Sequence, residues 1–436
     1  MGGCLIELAM PESKSPFRIS LDLALSGAGA PPRAAYDAAL ARAEEGLAWL
    51  RQQHRTRALE LLGIAARKDD LKAAAAAAPA IAKGMKTIAV LGIGGSSLGG
   101  QALTALRRTT APFVEFHDNP DPFSWEKSLK WFDPKKTHFI AISKSGGTAE
   151  TLMQVLSAAD RLEKAGVKNL KKHFTIITEP HKSALADFAD SIGAQKLDHP
   201  LGIGGRYSVL SMVGILPALL MGLDVKALRA GAGVALDEVL NARTAADAPA
   251  AVGAALHQAL AAQGKLHTSV LWPYADRLSV FGGWWRQLWA ESLGKDGKGS
   301  TPVSVLGPVD QHSQLQLFRD GPGKALFTLM TVDTKGKGPA APKARAKALG
   351  LNYLAGRRMG DLVDAEARAT AQTLFKNGRC VRQIHLTKVD EFHMGALMMH
   401  FMLETILMGR LMGVDPFDQP GVEEGKILAR QYLAEK

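Results

Sequence analysis

The residues best equipped for chemistry fall in a few short runs. Ser143 to Thr148, SKSGGT, sets three hydroxyls, a lysine and two glycines in six positions. It follows the apolar, β-branched run His138 to Ile142 and precedes a helical pattern from Ala149, so it reads as a strand-to-helix turn. Backbone N–H groups converge at such a turn, the hydroxyls add donors, and the helix behind adds positive partial charge. The chemistry implied is the holding of an anion such as a phosphate. The plainer reading is a turn that uses Gly for positive φ and Ser as a helix cap.

A second run, GIGGSSLGG (Gly92 to Gly100), follows the strand-like Thr87 to Leu91. With Asp118 after the next strand it invites comparison with a dinucleotide fingerprint, but that pattern needs a third glycine where Ser97 stands. Gly95 and Ser96 read better as further donors for a sugar phosphate. Three more residues could do chemistry. Arg206 follows two glycines in GIGGRYS and could stabilise developing negative charge. Glu291, at the end of a tryptophan-rich helical run, could act as a general base. His312, in the loop DQHS, could act as an acid. Each alone has a structural reading as a turn cap, a surface carboxylate or an exposed loop side chain.

These residues need a scaffold. Strands are expected at Thr87 to Leu91, Phe113 to Phe116, Phe139 to Ile142 and Phe174 to Thr178, then at Ser269 to Trp272, Phe327 to Val332 and Gln383 to Leu386. Helical patterns lie between them, which argues for parallel, doubly wound sheets. Residues 1 to about 30 read as irregular, and Ala34 to Ile81 as one alanine-rich helical stretch ending near Pro79. The expected division is a helical or irregular segment at 1–80, a first α/β domain at 81–225, and a second at 226–436 with C-terminal helices.

Composition narrows the function. The 436 residues are 47% hydrophobic and 22% charged, ordinary for a globular protein. A net charge of +11 fits nucleic acid, an anionic membrane or small anionic substrates. Lys335 to Lys347 carries five basic residues and no acid, but without interleaved aromatics it reads as a solvated loop, so no nucleic acid is expected. The long uncharged run Tyr207 to Leu223 reads as a buried core helix, so no membrane span is expected. Cys4 and Cys380 show neither metal nor disulfide spacing, and the N-terminus lacks a basic leader. A cytoplasmic protein is the expectation.

Taken in order, GIGGSSLG (92–99), SKSGGTAET (143–151), GGRYSVLS (204–211), QLWAESLGK (287–295), DQHSQLQL (310–317) and PFDQPGVEEGK (416–426) resemble the glucose-6-phosphate isomerase family. The resemblance runs from about residue 85 to the C-terminus, and its last run is the most specific. It implies two sugar-isomerase (SIS) domains, each a parallel sheet between helices, in a homodimer that needs no metal or other cofactor. It further implies that Ser143, Lys144, Ser145 and Thr148, with Gly95 and Ser96, bind the phosphate and nearby sugar. Glu291 would move a proton between C2 and C1, and Arg206 would stabilise the enediolate. His312, reaching over from the neighbouring subunit and paired with Glu150, would help open the ring, with Lys426 near the ring oxygen and Gln419 near the reacting end. Gly147, Leu293 and Asp310 depart from the usual residues at their positions. A sugar-phosphate sensor without turnover is the alternative.

Overall fold

The computed structural model describes residues 15–435; Cys4 and the stretch inspected for a leader lie outside them. Two five-stranded sheets carry the fold. The first contains β2 (Thr87–Leu91), β3 (Phe113–His117), β4 (Thr137–Ile142), β5 (Phe174–Thr178) and β6 (Gln195–Asp198), all parallel, in the order β3-β2-β4-β5-β6. The second contains β1 (Phe17–Ser20), β7 (Thr268–Pro273), β8 (Thr301–Ser304), β9 (Ala325–Val332) and β10 (Cys380–Leu386), in the order β1-β10-β9-β7-β8. Its pairings are parallel except β1 with β10. β4 is buried at every position, as a central strand covered by helices on both faces must be, and this explains its unbroken apolar run.

Three features depart from the sequence reading. Residues 17–20 are not irregular but form an antiparallel edge, with Phe17 opposite Leu386. The helical stretch expected from Ala34 to Ile81 is three pieces, Arg33–Thr56, Glu60–Ala66 and Asp69–Ala82. Arg57 ends the first in the left-handed region, and Pro79 lies within the last rather than terminating it. The run from Tyr207 is buried as expected, but it splits at Ser211 into a short 3₁₀ segment and the helix Met212–Leu220. Among the described residues no helix is long and apolar enough to cross a membrane.

One hydrophobic core joins the two halves. Ile88 and Ile140 of the first sheet and Leu271 and Ile384 of the second belong to it, bridged by Met212–Leu220, Val225–Leu240 and Glu391–Met412. The last helix is apolar on all sides because it is surrounded on all sides. It also carries Glu404, which pairs with Arg382 of β10 at 2.7 Å in full burial. Burial alone would raise the Glu404 carboxyl, but Arg382 and the neighbouring histidines bring it down to about 2.

Burial pushes His138, His199 and His257 each down to about 4. They stay neutral in the fold while the unfolded chain takes up protons near pH 6.5, so their stability contribution is complete above 6.5 and is lost as pH falls toward 4. Each should contribute a slope of about 1.4 kcal/mol per pH unit within that window. Urea midpoints at pH 7, 6 and 5 should fall in that order; equal midpoints would contradict the assignment of neutral buried histidines.

Candidate functional site

In the first sheet the chain leaves β2 for β3 on one side and takes up β4 on the other. The loops that follow β2 and β4 therefore part at the C-terminal edge, where open α/β sheets bind ligands. After β4, the Ser143 and Thr148 hydroxyls lie 2.8 Å apart. Thr148 precedes the helix Ala149–Lys164 but does not cap it with its side chain, so the positive end of that helix is left to an incoming anion. Gly146 turns the loop at φ 62°, and a Cβ there would sit 2.1 Å from Ser183 Oγ. Ser145 Oγ accepts from Gly147 N at 3.3 Å, and Lys144 Nζ lies 3.6 Å from Glu179.

After β2, Gly94–Ser96 form one tight turn. Gly95 presses against the backbone of a distant segment: a Cβ on it would lie 2.2 Å from the Gly205 carbonyl carbon and 2.5 Å from Arg206 N. Only glycine permits that approach, and it fixes the Arg206 backbone against the loop after β2. Ser97, where a dinucleotide fingerprint has its third glycine, is buried and accepts from Gln101, which also donates to Asp118 at 2.6 Å.

Arg206 is buried, and all its donors are engaged. Nε donates to Ser292 Oγ at 2.8 Å. Nη2 donates to the carbonyls of Pro416 (2.7 Å) and Asp418 (2.8 Å). Nη1 donates to Gln419 Oε1 at 2.6 Å and, at 3.4 Å, to Glu291 Oε2. Glu291 stands on the last turn of the helix Ser279–Leu293, and its other oxygen accepts from Gln287 Nε2 at 2.9 Å, one helical turn back. Lys295 holds the same 415–418 strap, through the Asp415 and Asp418 carbonyls and the Asp418 carboxylate. Glu291, Lys295, Asp418 and Gln419 line a cavity of about 420 Å³, within the range of small-molecule sites.

The single chain thus brings together Glu291, Arg206 and Gln419, with Gly95 against the Arg206 backbone, and Ser143 to Thr148 on the neighbouring loop. Among the described residues it forms no hydrogen bond or ion pair between that cluster and His312 or Lys426. His312 is exposed in the turn Val309–His312 and makes no hydrogen bond to Glu150. Asp310 pins that turn by accepting from Leu306 N and Ser313 Oγ, which gives the departure at 310 a structural use. Lys426 lies on the exposed helix Glu423–Ala434, paired with Glu423 at 2.7 Å. Gln287, Ser292, Tyr207 and Lys295 do not stand out in the sequence as site residues. Their one signal there is position: each lies within a few residues of Arg206 or Glu291.

Two covered sheets, one entirely parallel and one with a single antiparallel edge, place the chain in the α/β class of paired sugar-isomerase folds. The phosphoglucose isomerase family model matches residues 71–312 and 344–436, and the chain belongs to that family. A glucose-6-phosphate isomerase of Rubrobacter xylanophilus is 39% identical over 346 residues, 77% of this chain and 80% of that protein. One of Thermus thermophilus is 36% identical over 350 residues, 79% and 83% respectively. Among solved structures, a hypothetical protein of Thermus thermophilus superposes with a TM-score of 0.85 at 32% identity, covering 96% of this chain and all of that one. A Chlamydia trachomatis glucose-6-phosphate isomerase shares the fold, with a TM-score of 0.81 at 19% identity over 96% of this chain and 88% of that one.

Gly95→Ala should displace Arg206 and lower isomerase kcat/KM about tenfold or more. Gly205→Ala should be far milder, since a Cβ there meets Gly95 only at 3.6 Å. Equal effects of the two substitutions on kcat/KM would contradict the close approach as the cause.

Proposed function

We propose that this chain interconverts glucose 6-phosphate and fructose 6-phosphate through a cis-enediolate. The observation that carries the reading is the meeting of Glu291 and Arg206, with the Gly95 turn of the first sheet pressed against the Arg206 backbone. An aldose–ketose isomerisation needs a carboxylate that removes the C2 proton and returns it at C1, with the paired O–H proton moving between the oxygens. It needs a cation where the enediolate charge develops, and an anchor on the remote phosphate whose binding energy positions the reacting carbons.

In this reading Ser143, Lys144, Ser145 and Thr148, with Gly95 and Ser96, hold the phosphate end. Glu291 is the base, as a glutamate is in the triosephosphate isomerase site, a known worked case. Arg206 faces the enediolate through Nη1, the nitrogen now turned toward Glu291 and Gln419, and Gln419 contacts the reacting end. His312 arrives from a second copy of the chain, meets Glu150 and assists ring opening, with Lys426 near the ring oxygen. The exposure of His312, and of Ile427, Tyr432 and Leu433 on the C-terminal helix, supports a homodimer. The reaction draws on no cofactor or metal, and its setting is the cytoplasm.

Glu291→Gln should lower kcat by roughly three orders of magnitude while sugar-phosphate affinity stays within about threefold; near-normal turnover would remove Glu291 as the base. A sensor would bind sugar phosphates in the wild type without converting them. The dimer is tested by mixing: Glu291→Gln and His312→Ala chains, each nearly inactive alone, should after subunit exchange recover about a quarter of wild-type activity, because half of each mixed dimer is intact. No recovery on verified exchange would place His312 in its own subunit's site or outside the reaction.

A further inference from the structure

The five N–H directions of Arg206 divide into two sets. Nη1 is aimed at the groups of the site, Glu291 and Gln419. Nε and Nη2 are taken up by Ser292 Oγ and by the backbone carbonyls of Pro416 and Asp418. Carbonyls of a strap can follow a moving guanidinium. Ser292 cannot follow it as readily, because it is fully buried on the same helical turn as Glu291.

The direction of the Ser292 hydroxyl is fixed by its neighbours. Tyr207 Oη lies 3.0 Å from Ser292 Oγ and 3.2 Å from the Pro416 carbonyl. The carbonyl can only accept, so Tyr207 donates to Pro416, Ser292 donates to Tyr207, and Ser292 is left to accept from Arg206 Nε. Burial pushes the Tyr207 phenol up to about 12, so it keeps its proton at any working pH. The chain Arg206 to Ser292 to Tyr207 to Pro416 then has one orientation, and Pro416 O also receives Arg206 Nη2, closing a ring around the guanidinium plane.

We propose that Ser292 is the positioning residue for Arg206: its hydroxyl, oriented by Tyr207, sets the guanidinium plane so that Nη1 alone faces the reacting oxygens. The inference rests on the isomerase reading, in which Arg206 meets the enediolate. It also accounts for how base and cation are held at a fixed separation, since Glu291 and the anchor of Arg206 are adjacent residues of one helix. Without the hydroxyl, Nε–H is buried with no acceptor and the plane is free to roll. Transition-state stabilisation suffers from such a roll more than ground-state binding, which the remote phosphate dominates.

The test is a double-mutant cycle with a structural readout beside it. Ser292→Ala should lower kcat about 10- to 100-fold with KM changed less than about threefold, and Ser292→Thr, which keeps the hydroxyl, should recover most of the loss. In an Arg206→Ala background, Ser292→Ala should cost less than about twofold, because the residue acts through the arginine. Additive losses, or wild-type kcat in Ser292→Ala, would overturn the proposal while leaving the isomerase reading intact. Should Ser292→Ala not fold, Tyr207→Phe in the same cycle probes the same coupling, and additivity there would overturn the proposal equally. Independently of any turnover, the ¹⁵Nε–¹H resonance of Arg206, assigned by its absence in Arg206→Ala, should exchange with solvent at least about tenfold faster in Ser292→Ala. Unchanged exchange would refute the anchor, and lack of turnover by wild type with normal protection would refute the isomerase reading alone.

Discussion

The burial of one guanidinium, that of Arg206, governs the rest of the site. A charge taken out of water must be met at every donor or it costs several kcal/mol, and here two carbonyls, a serine, a glutamine and a glutamate meet it. Those partners come from the helix bearing Glu291 and from the 416–419 strap, so satisfying the charge assembles the site. A ligand oxygen that reaches Arg206 must displace Glu291 or Gln419 from Nη1, the contacts least tied to the fold.

The two-sheet architecture delivers these groups from distant parts of the chain. The first sheet supplies the turns after β2 and β4 at its switch point, and Gly95 locks one of them to the Gly205–Arg206 backbone. The second half supplies Glu291 from the helix that follows β7, and the C-terminal segment supplies the strap. A continuous core through Met212–Leu220 and Glu391–Met412 keeps the halves in register. Small backbone clearances at Gly95 thus translate into the placement of the Arg206 charge beside Glu291.

Central strands are legible in the sequence because they are buried on both faces: TIAVL, THFIAI and FTIIT are uncharged runs dominated by apolar and β-branched residues. The strands that escaped notice, FRIS, QKLD and TPVS, are four-residue edges, β1, β6 and β8. Edge strands are short and carry charge or proline to discourage further pairing, which erases the pattern that reveals interior strands. Arg206 and Glu291, which the structure brings together, are residues whose type alone implies chemistry. Ser292 and Tyr207 are not legible in the sequence, because a hydroxyl that orients another side chain has no signature until the fold brings the two together. Lys426 is named from resemblance alone and His312 from its residue type as well; among the described residues neither makes a hydrogen bond or ion pair with Glu291.

The surplus positive charge has a local origin. Residues 335–358 carry seven cations and no acid, on an exposed appendage closed by a bridge between Ala340 and Arg358. Without those seven, 46 basic residues face 42 acidic ones, a balance suited to drawing in dianionic sugar phosphates. Whether such a substrate is converted by proton transfer is decided most directly by running the reaction of fructose 6-phosphate in D₂O with EDTA-treated protein. The account predicts turnover, with deuterium at C2 of a fraction of the glucose 6-phosphate formed, since the proton held by the partly exposed Glu291 carboxylate can exchange with solvent. Product still free of deuterium after many forward and reverse turnovers would contradict proton transfer through a solvent-exchanging Glu291, and turnover abolished by EDTA would mean that Glu291 and Arg206 do not suffice.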